Sequence, residues 1–171
     1  MRSTGTSLKP GKRAMRKAAG FTLIELIVTL TILALLATVA LPMTQIAAVR
    51  SDEQDLRRAV FQIRAGIDAY KKAYDDGKLQ KAVDATGYPP SLSVLVDGVR
   101  DVTDQTGRRM FFLRRIPRDP FCDCPSRSNE QTWGLRSYAS PPDAPQEGRD
   151  VYDVYSLSKR TAVDGTHYAD W

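Results

Sequence analysis

The segment that decides the fold reads GFTLIELIVTLTILALLATVALP and occupies residues 20–42. From Phe21 to Leu41 it is apolar apart from four threonines and Glu25. About 20 apolar residues are enough to cross a bilayer as a helix. A charged side chain inside such a helix costs several kcal/mol and usually marks a function. The segment therefore predicts a membrane helix, and the presence of Glu25 needs an explanation.

The basic residues of the chain are concentrated before this segment. The 171 residues include 25 lysines and arginines and 20 acids, and the first 20 residues hold six of the bases and no acid. Residues 21–171 are left with 19 bases and 20 acids. A basic leader keeps the N-terminus in the cytoplasm, and without it the net charge gives no reason to bind nucleic acid. We expect no nucleic-acid partner, and we interpret the local arginines as a solvated face: Arg108, Arg109, Arg114, Arg115 and Arg118.

Two other kinds of membrane signal share a basic start and an apolar run. A secretory signal peptide has an uncharged apolar region of about 7–15 residues, followed by a small-residue cleavage site such as Thr38-Val39-Ala40. The run in this chain is longer and carries Glu25. A simple signal anchor accounts for the length, but it explains neither Glu25 nor the junction between Gly20 and Phe21.

The run Gly20-Phe21-Thr22-Leu23-Ile24-Glu25 resembles the N-terminal signal of the type IV pilin and pseudopilin superfamily. In that signal a glycine precedes an aromatic residue, a glutamate follows closely, and a proline ends the apolar span, where this chain has Pro42. The resemblance implies that a membrane-bound prepilin peptidase cleaves between Gly20 and Phe21. It also implies that the same enzyme methylates the new N-terminus, Phe21.

Physical chemistry suggests how Glu25 and Pro42 act in such a chain. Cleavage would create a cationic α-amine at Phe21, at the start of an apolar helix. Opposite charges offset each other's desolvation when they pair, so Glu25 can neutralise this amine in its own subunit or in a neighbour. A pair between neighbours would set the register of a helical homopolymer. Pro42 lacks an N–H group and crowds the carbonyl of Thr38, so it should kink or locally melt the helix.

The helical pattern continues beyond Pro42 and predicts an α+β fold. One apolar face recurs at helical spacing, and Asp76-Gly77 is the expected stop, so the helix is predicted from Phe21 to Asp76. Segments 133–138 and 151–157 resemble strands and suggest a hairpin. We expect a pilin-like fold in which the long N-terminal helix, transmembrane in its first half, packs on a small antiparallel sheet. The residues of the apolar face are Val49, Leu56, Val60, Ile63, Ile67, Tyr70 and Tyr74.

Smaller features are expected between these elements. The sequence GYPPSL at residues 87–92 predicts a turn into a short helix, with Ser91 as its candidate cap. Residues 97–109 are polar and read as a loop. The whole chain is thus divided into a basic leader at 1–20, a membrane or filament-core helix at 21–42, its amphipathic continuation at 43–76 and a globular region at 77–171.

The order of these elements, together with FLRRIPRDP and the ending DVYSLS…DG…YADW, resembles the major pseudopilins of type II secretion systems. The resemblance implies a subunit of a periplasmic pseudopilus that supports protein export. It implies a single-pass inner-membrane protein with a periplasmic C-terminal domain. The implied partners are further copies of the chain, the prepilin peptidase and methyltransferase, minor pseudopilins and an inner-membrane secretion platform.

Two alternatives remain open from the sequence. The first is a type IV pilus or competence pilin, which would serve in adhesion or DNA uptake. The second is a single-pass anchored binding domain that never polymerises. Within the pseudopilins, the distinction between a major and a minor subunit rests on the C-terminal half.

Major pseudopilins commonly hold calcium in the loop after the last strand, through acidic side chains and backbone oxygens. Calcium takes six to eight oxygen ligands, and this chain has Lys159 and Arg160 where an acid is usual. We therefore predict no resident cofactor. The remaining calcium candidates are the Leu157 carbonyl, Asp164 and Asp170.

Cys122 and Cys124 are the two cysteines of the chain. Two thiolates are too few for a zinc site without further ligands, and the outward topology would place them in an oxidising compartment. We predict a local disulfide that pins the loop after Pro120.

No pattern in the sequence predicts an enzyme. His167 is the single histidine, and no nucleophile accompanies it. The sequence also has no phosphate-binding glycine loop and no metal-ligand cluster. The expected role of the chain is mechanical.

Overall fold

The computed structural model describes the backbone of residues 20–171 and the side chains of residues 20–38 and 46–171. The predicted leader, residues 1–20, thus lies outside the described residues except for Gly20. The chain divides after Met43 into two compact units. The first unit contains the start of the long helix, and the second contains the rest of the helix and all the other elements.

The long N-terminal helix, α1, runs from Leu23 to Asp75 and has 53 residues. It confirms the predicted helix with slightly narrower bounds. Its backbone is helical through Pro42 in the single chain, and the kink or local melting expected at Pro42 stays a prediction. A proline removes one backbone hydrogen bond, and the turns on either side hold the helix. The helix stops because Gly77 adopts a φ of 74°, which lets the Lys78 N–H donate to the Ala73 carbonyl over 3.0 Å.

Among the described residues, no helix combines the length and the apolarity that a membrane crossing requires. The span expected at residues 21–42 ends among side chains that lie outside the described residues. It stays a prediction.

The second half of α1 is amphipathic as predicted, and its apolar face forms the core of the second unit. Leu56 and Ile63 are fully buried, and Ile67 is nearly so. Burial follows from the helical spacing, because these residues lie on one side of the helix. They pack in one cluster with Leu92, Leu95, Leu113, Phe121, Trp133, Val151, Val154 and Tyr168.

The region after α1 begins with a short helix and a small ladder. Helix α2 spans Ser93–Asp97, and the ladder joins β1, Val99–Arg100, to β2, Arg109–Met110, in antiparallel pairing. The expectation of an irregular loop at 97–109 is therefore wrong at both of its ends. The prediction that Ser91 caps this short helix is also wrong, because its side chain makes no capping hydrogen bond. The Glu130 carboxylate accepts the N–H groups of Leu92 and Ser93 over 3.1 and 3.3 Å, from a position that no local pattern reveals.

The predicted hairpin is present and is shorter than expected. Strand β3, Trp133–Arg136, pairs antiparallel with β4, Asp153–Ser156. A salt bridge joins the hairpin to α1, since Arg64 of the helix donates to Asp153 of β4 over 2.6 Å. Arg136 of β3 lies 3.3 Å from the same carboxylate. The fold is thus a long helix with two small antiparallel ladders, as the α+β prediction required.

Two buried carboxylates hold the connecting loops in place. Asp119 is fully buried; it accepts the Phe121 N–H over 2.8 Å and the Ser156 hydroxyl over 2.6 Å. Asp150 accepts hydrogen bonds from Ser137, from the Tyr138 N–H and from Thr86. Burial raises the pKa of Asp150, but these hydrogen bonds outweigh it and keep the pKa below its usual value. Both acids are therefore structural.

Truncation of the core face of α1 should destabilise the second unit strongly. Ile63→Ala removes a fully buried side chain and should cost about 2–5 kcal/mol of unfolding free energy. Phe61 lies two residues away and is 76% exposed, so Phe61→Ala is a matched control that should stay within about 0.5 kcal/mol of the wild type. Urea titration followed by circular dichroism measures both variants. Equal losses would contradict the assigned faces of the helix.

Candidate assembly and processing site

The junction predicted for cleavage precedes the first turn of α1. Gly20 and Phe21 are both non-helical and exposed, and Phe21 is 75% exposed. Among the described residues, a Cβ added at Gly20 would meet nothing within 4 Å beyond its chain neighbours. The described part of the chain therefore leaves the peptide bond between Gly20 and Phe21 exposed.

Thr22 caps the helix that begins immediately after the junction. The Glu25 N–H donates to the Thr22 hydroxyl oxygen over 3.3 Å, which satisfies one of the N–H groups that a helix start leaves without a partner. Thr22-Leu23-Ile24-Glu25 follows the pattern of a capping box, in which threonine is followed by glutamate three residues later. The sequence analysis missed this residue, although that spacing was a usable signal.

Glu25 lies in the first turn of α1. A carboxylate is favoured there, because the N-terminal end of a helix carries partial positive charge. Among residues 20–38 and 46–171, no side chain donates a hydrogen bond to its carboxylate. The hydroxyls of Thr29, Thr31 and Thr38 instead donate to backbone carbonyls of their own helix over 2.7–2.9 Å. Within these described side chains, the carboxylate of Glu25 therefore differs from the threonine hydroxyls, which are bonded to their own helix.

Apart from Glu25 and the threonines, the described side chains of residues 21–38 are apolar on all sides of the helix. Eleven large side chains between residues 21 and 36 are each at least 50% exposed. A helix that is apolar all round is normally buried in protein or in a membrane. These residues are Phe21, Leu23, Ile24, Leu26, Ile27, Val28, Leu30, Ile32, Leu33, Leu35 and Leu36.

The three calcium candidates occupy different places in the C-terminal segment, residues 157–171. Leu157 is exposed directly after β4, and Asp170 is exposed in the terminal 3₁₀ turn, Tyr168–Asp170. The Asp164 carboxylate accepts the amide and the hydroxyl of Thr166. These hydrogen bonds, with Arg57 nearby, lower the pKa of Asp164. Among the described residues, no three His, Cys, Asp or Glu side chains are grouped so that they could hold a metal.

A set of contacts missed by the sequence analysis joins this segment to α1. Glu53 accepts hydrogen bonds from the Val163 N–H and the Tyr168 hydroxyl, and Arg57 pairs with Asp164. The guanidinium of Arg57 also lies 4.0 Å from the centre of the Trp171 ring. Burial raises the pKa of Tyr168, and its hydrogen bond to Glu53 raises it further. We call Glu53, Arg57, Asp164, Tyr168 and Trp171 the C-terminal clasp.

The two cysteines are close together in the loop after Pro120. The Cα atoms of Cys122 and Cys124 are 5.3 Å apart, within the normal range for a disulfide bond. Arg118 donates to the backbone carbonyls of Arg127 and Cys124 and so braces the same loop. His167 is exposed at the start of the terminal 3₁₀ turn.

Two comparisons with known proteins bear on the N-terminal segment and on the whole chain. Residues 15–41 match the family described as the prokaryotic N-terminal methylation motif. The chain is 27% identical over 149 residues to the type II secretion system core protein G of Vibrio cholerae, with 85% of this chain and 83% of that protein covered. The chain resembles a type IV pilin or pseudopilin. No solved structure gives a significant match.

The match to the methylation motif covers the exposed start of this pilin-like chain. It includes Gly20, Phe21 and Glu25, so the predicted junction and the carboxylate lie in the segment that carries the methylation motif. The resemblance stated from the sequence is confirmed. The individual roles of Gly20, Phe21, Glu25 and Pro42, and the pairing of Cys122 with Cys124, stay predictions.

Thr22 should control how firmly the first turn of α1 is held. In Thr22→Ala the Glu25 N–H loses its acceptor, so its hydrogen exchange should become faster, whereas Thr22→Ser keeps an acceptor and should exchange at the wild-type rate. Exchange of the full chain in detergent micelles, followed by mass spectrometry, measures the difference. Equal exchange in all three proteins would show that Thr22 does not cap the helix.

Proposed function

We propose that this chain is a pseudopilin subunit of a type II secretion system, which assembles into a periplasmic pseudopilus and supports protein export. The observation that carries the proposal is the exposed apolar first half of α1 together with Glu25. Burying one large apolar side chain stabilises by about 1.5–3 kcal/mol. Eleven such side chains exposed together on one helix therefore require a membrane before assembly and a helical bundle after it.

The energetic cost of the Glu25 carboxylate differs between the membrane and the helical bundle. In a bilayer, an unpaired carboxylate costs several kcal/mol. In a bundle of identical helices, the α-amine that cleavage creates at Phe21 of one subunit can pair with Glu25 of another. Each charge then offsets the desolvation of the other, and the pair favours one axial offset between neighbouring subunits. Assembly is thus driven by apolar packing, and charge pairing sets its register.

The remaining roles follow from this proposal. The chain is inserted once in the inner membrane, with its N-terminus in the cytoplasm and its globular region in the periplasm. A prepilin peptidase removes the leader after Gly20 and methylates Phe21. The partners are other copies of the chain, minor pseudopilins and the secretion platform of the inner membrane. The chain has no catalytic role of its own.

A type IV pilus subunit is the second candidate, because the methylation motif is common to the superfamily. The similarity to core protein G over most of the chain favours the pseudopilin. A single-pass anchored domain would have no use for the motif or for Glu25. Export and surface piliation, measured in a strain that lacks the gene, separate the two filament types.

The first test of the proposal is the intact mass of the protein purified from its native membrane. We expect a chain that begins at Phe21 and carries the added mass of one methyl group. A mass that still includes the leader would indicate an ordinary signal anchor, and a start near Leu41 would indicate secretion. Either result would refute the filament role.

The second test separates insertion from assembly. Glu25→Val should leave cleavage and membrane insertion intact, because it removes a charge from the helix, and it should abolish assembly by removing the partner of the α-amine. Thr29→Val is the matched control, since the Thr29 hydroxyl bonds only to its own helix and its loss should leave assembly unchanged. Cross-linking of membrane fractions reports the oligomers. Wild-type assembly of Glu25→Val would exclude the charge-pairing mechanism.

A further inference from the structure

The carboxylate of Asp164 already has partners on both of its oxygens. Oδ1 accepts the N–H of Thr166 over 3.0 Å and its hydroxyl over 2.6 Å. Oδ2 lies 3.4 Å from the Arg57 guanidinium. A calcium ion would have to displace a positive charge that belongs to the chain.

The other contacts of the C-terminal clasp involve Glu53 and Trp171. Oε1 of Glu53 accepts the Val163 N–H over 2.8 Å and the Tyr168 hydroxyl over 3.1 Å. The Trp171 indole donates to the Thr166 hydroxyl over 2.8 Å, and its ring lies against Arg57. Helix α1 therefore holds the C-terminal segment by one carboxylate and one guanidinium, set four residues apart on the same side of the helix.

The oxygen donors around this segment do not form a calcium site. Calcium takes six to eight oxygens. The carbonyls of Arg160, Ala162 and Thr166 accept backbone hydrogen bonds from within the segment. Lys159 and Arg160 add two positive charges to the same loop, which disfavours a divalent cation.

We infer that Arg57 supplies the fixed positive charge that calcium provides in major pseudopilins, so that the C-terminal segment of this chain folds without a metal. The guanidinium can do this because it is planar, remains charged and stacks on an aromatic ring while it pairs with a carboxylate. In the C-terminal clasp, the Arg57 side chain takes the place of a calcium ion that would have to bind from solution. Folding of the segment should then be the same at any calcium concentration.

The test is thermal unfolding of the full-length chain in detergent, followed by near-ultraviolet circular dichroism, in EDTA and in millimolar calcium. The wild type should give the same Tm in both. Arg57→Ala should lower the Tm by about 2–4 °C, because it loses the ion pair and the aromatic contact. Arg58→Ala is the matched control, since Arg58 pairs with Asp55 one turn away on α1 and should change the Tm little.

A double-mutant cycle tests whether Arg57 and Asp164 act as a pair. The loss in Arg57→Ala with Asp164→Asn should be smaller than the sum of the two single losses. If Arg57→Ala does not fold, Arg57→Lys keeps the charge and should fold with a Tm that calcium does not change. A wild-type Tm that rises by several degrees in calcium, stoichiometric calcium binding in equilibrium dialysis, or fully additive losses would overturn the inference.

Discussion

The fold depends on the burial of one apolar face of α1 in its second half. Leu56, Ile63 and Ile67 occupy that face, and the connecting loops and the β3–β4 hairpin cover it. Without this cover the helix would present an apolar face to water. The strands are only four residues long and would be marginal alone, so the helix is the support on which the rest of the second unit is built.

Polar contacts on one flank of the same helix then fix where the C-terminal third lies. Glu53, Arg57 and Arg64 follow one another at spacings of four and seven residues, so they share a side of α1. Arg64 holds β4 through Asp153, whereas Glu53 and Arg57 hold the C-terminal segment. The apolar face gives the unit its stability, and the polar flank gives it a defined arrangement.

The first half of α1 has the opposite character, since its large side chains are exposed on every side. Each threonine hydroxyl described there is bonded to its own helix, so the surface is suited to an apolar environment. Glu25 is the exception, and the filament proposed above would place it near the α-amine of another subunit. In that proposal one continuous helix combines an assembly surface with the scaffold of a folded unit.

The sequence by itself determined the parts of this protein that depend on local pattern. The extent of α1 and its buried face follow from spacing and composition, because the 3.6-residue period of a helix can be seen in consecutive residues. The hairpin was also foreseen, although its strands are shorter than the apolar segments suggested.

Only the tertiary structure decided the contacts between residues far apart in the chain. Glu130 caps α2 from 37 and 38 residues away, and Glu53 meets Val163 and Tyr168 more than 100 residues further on. A charged side chain at the surface of a helix looks the same in the sequence whether it faces water or a distant loop. The physical reason is that its partner is chosen by the path of the folded backbone, which no local pattern specifies.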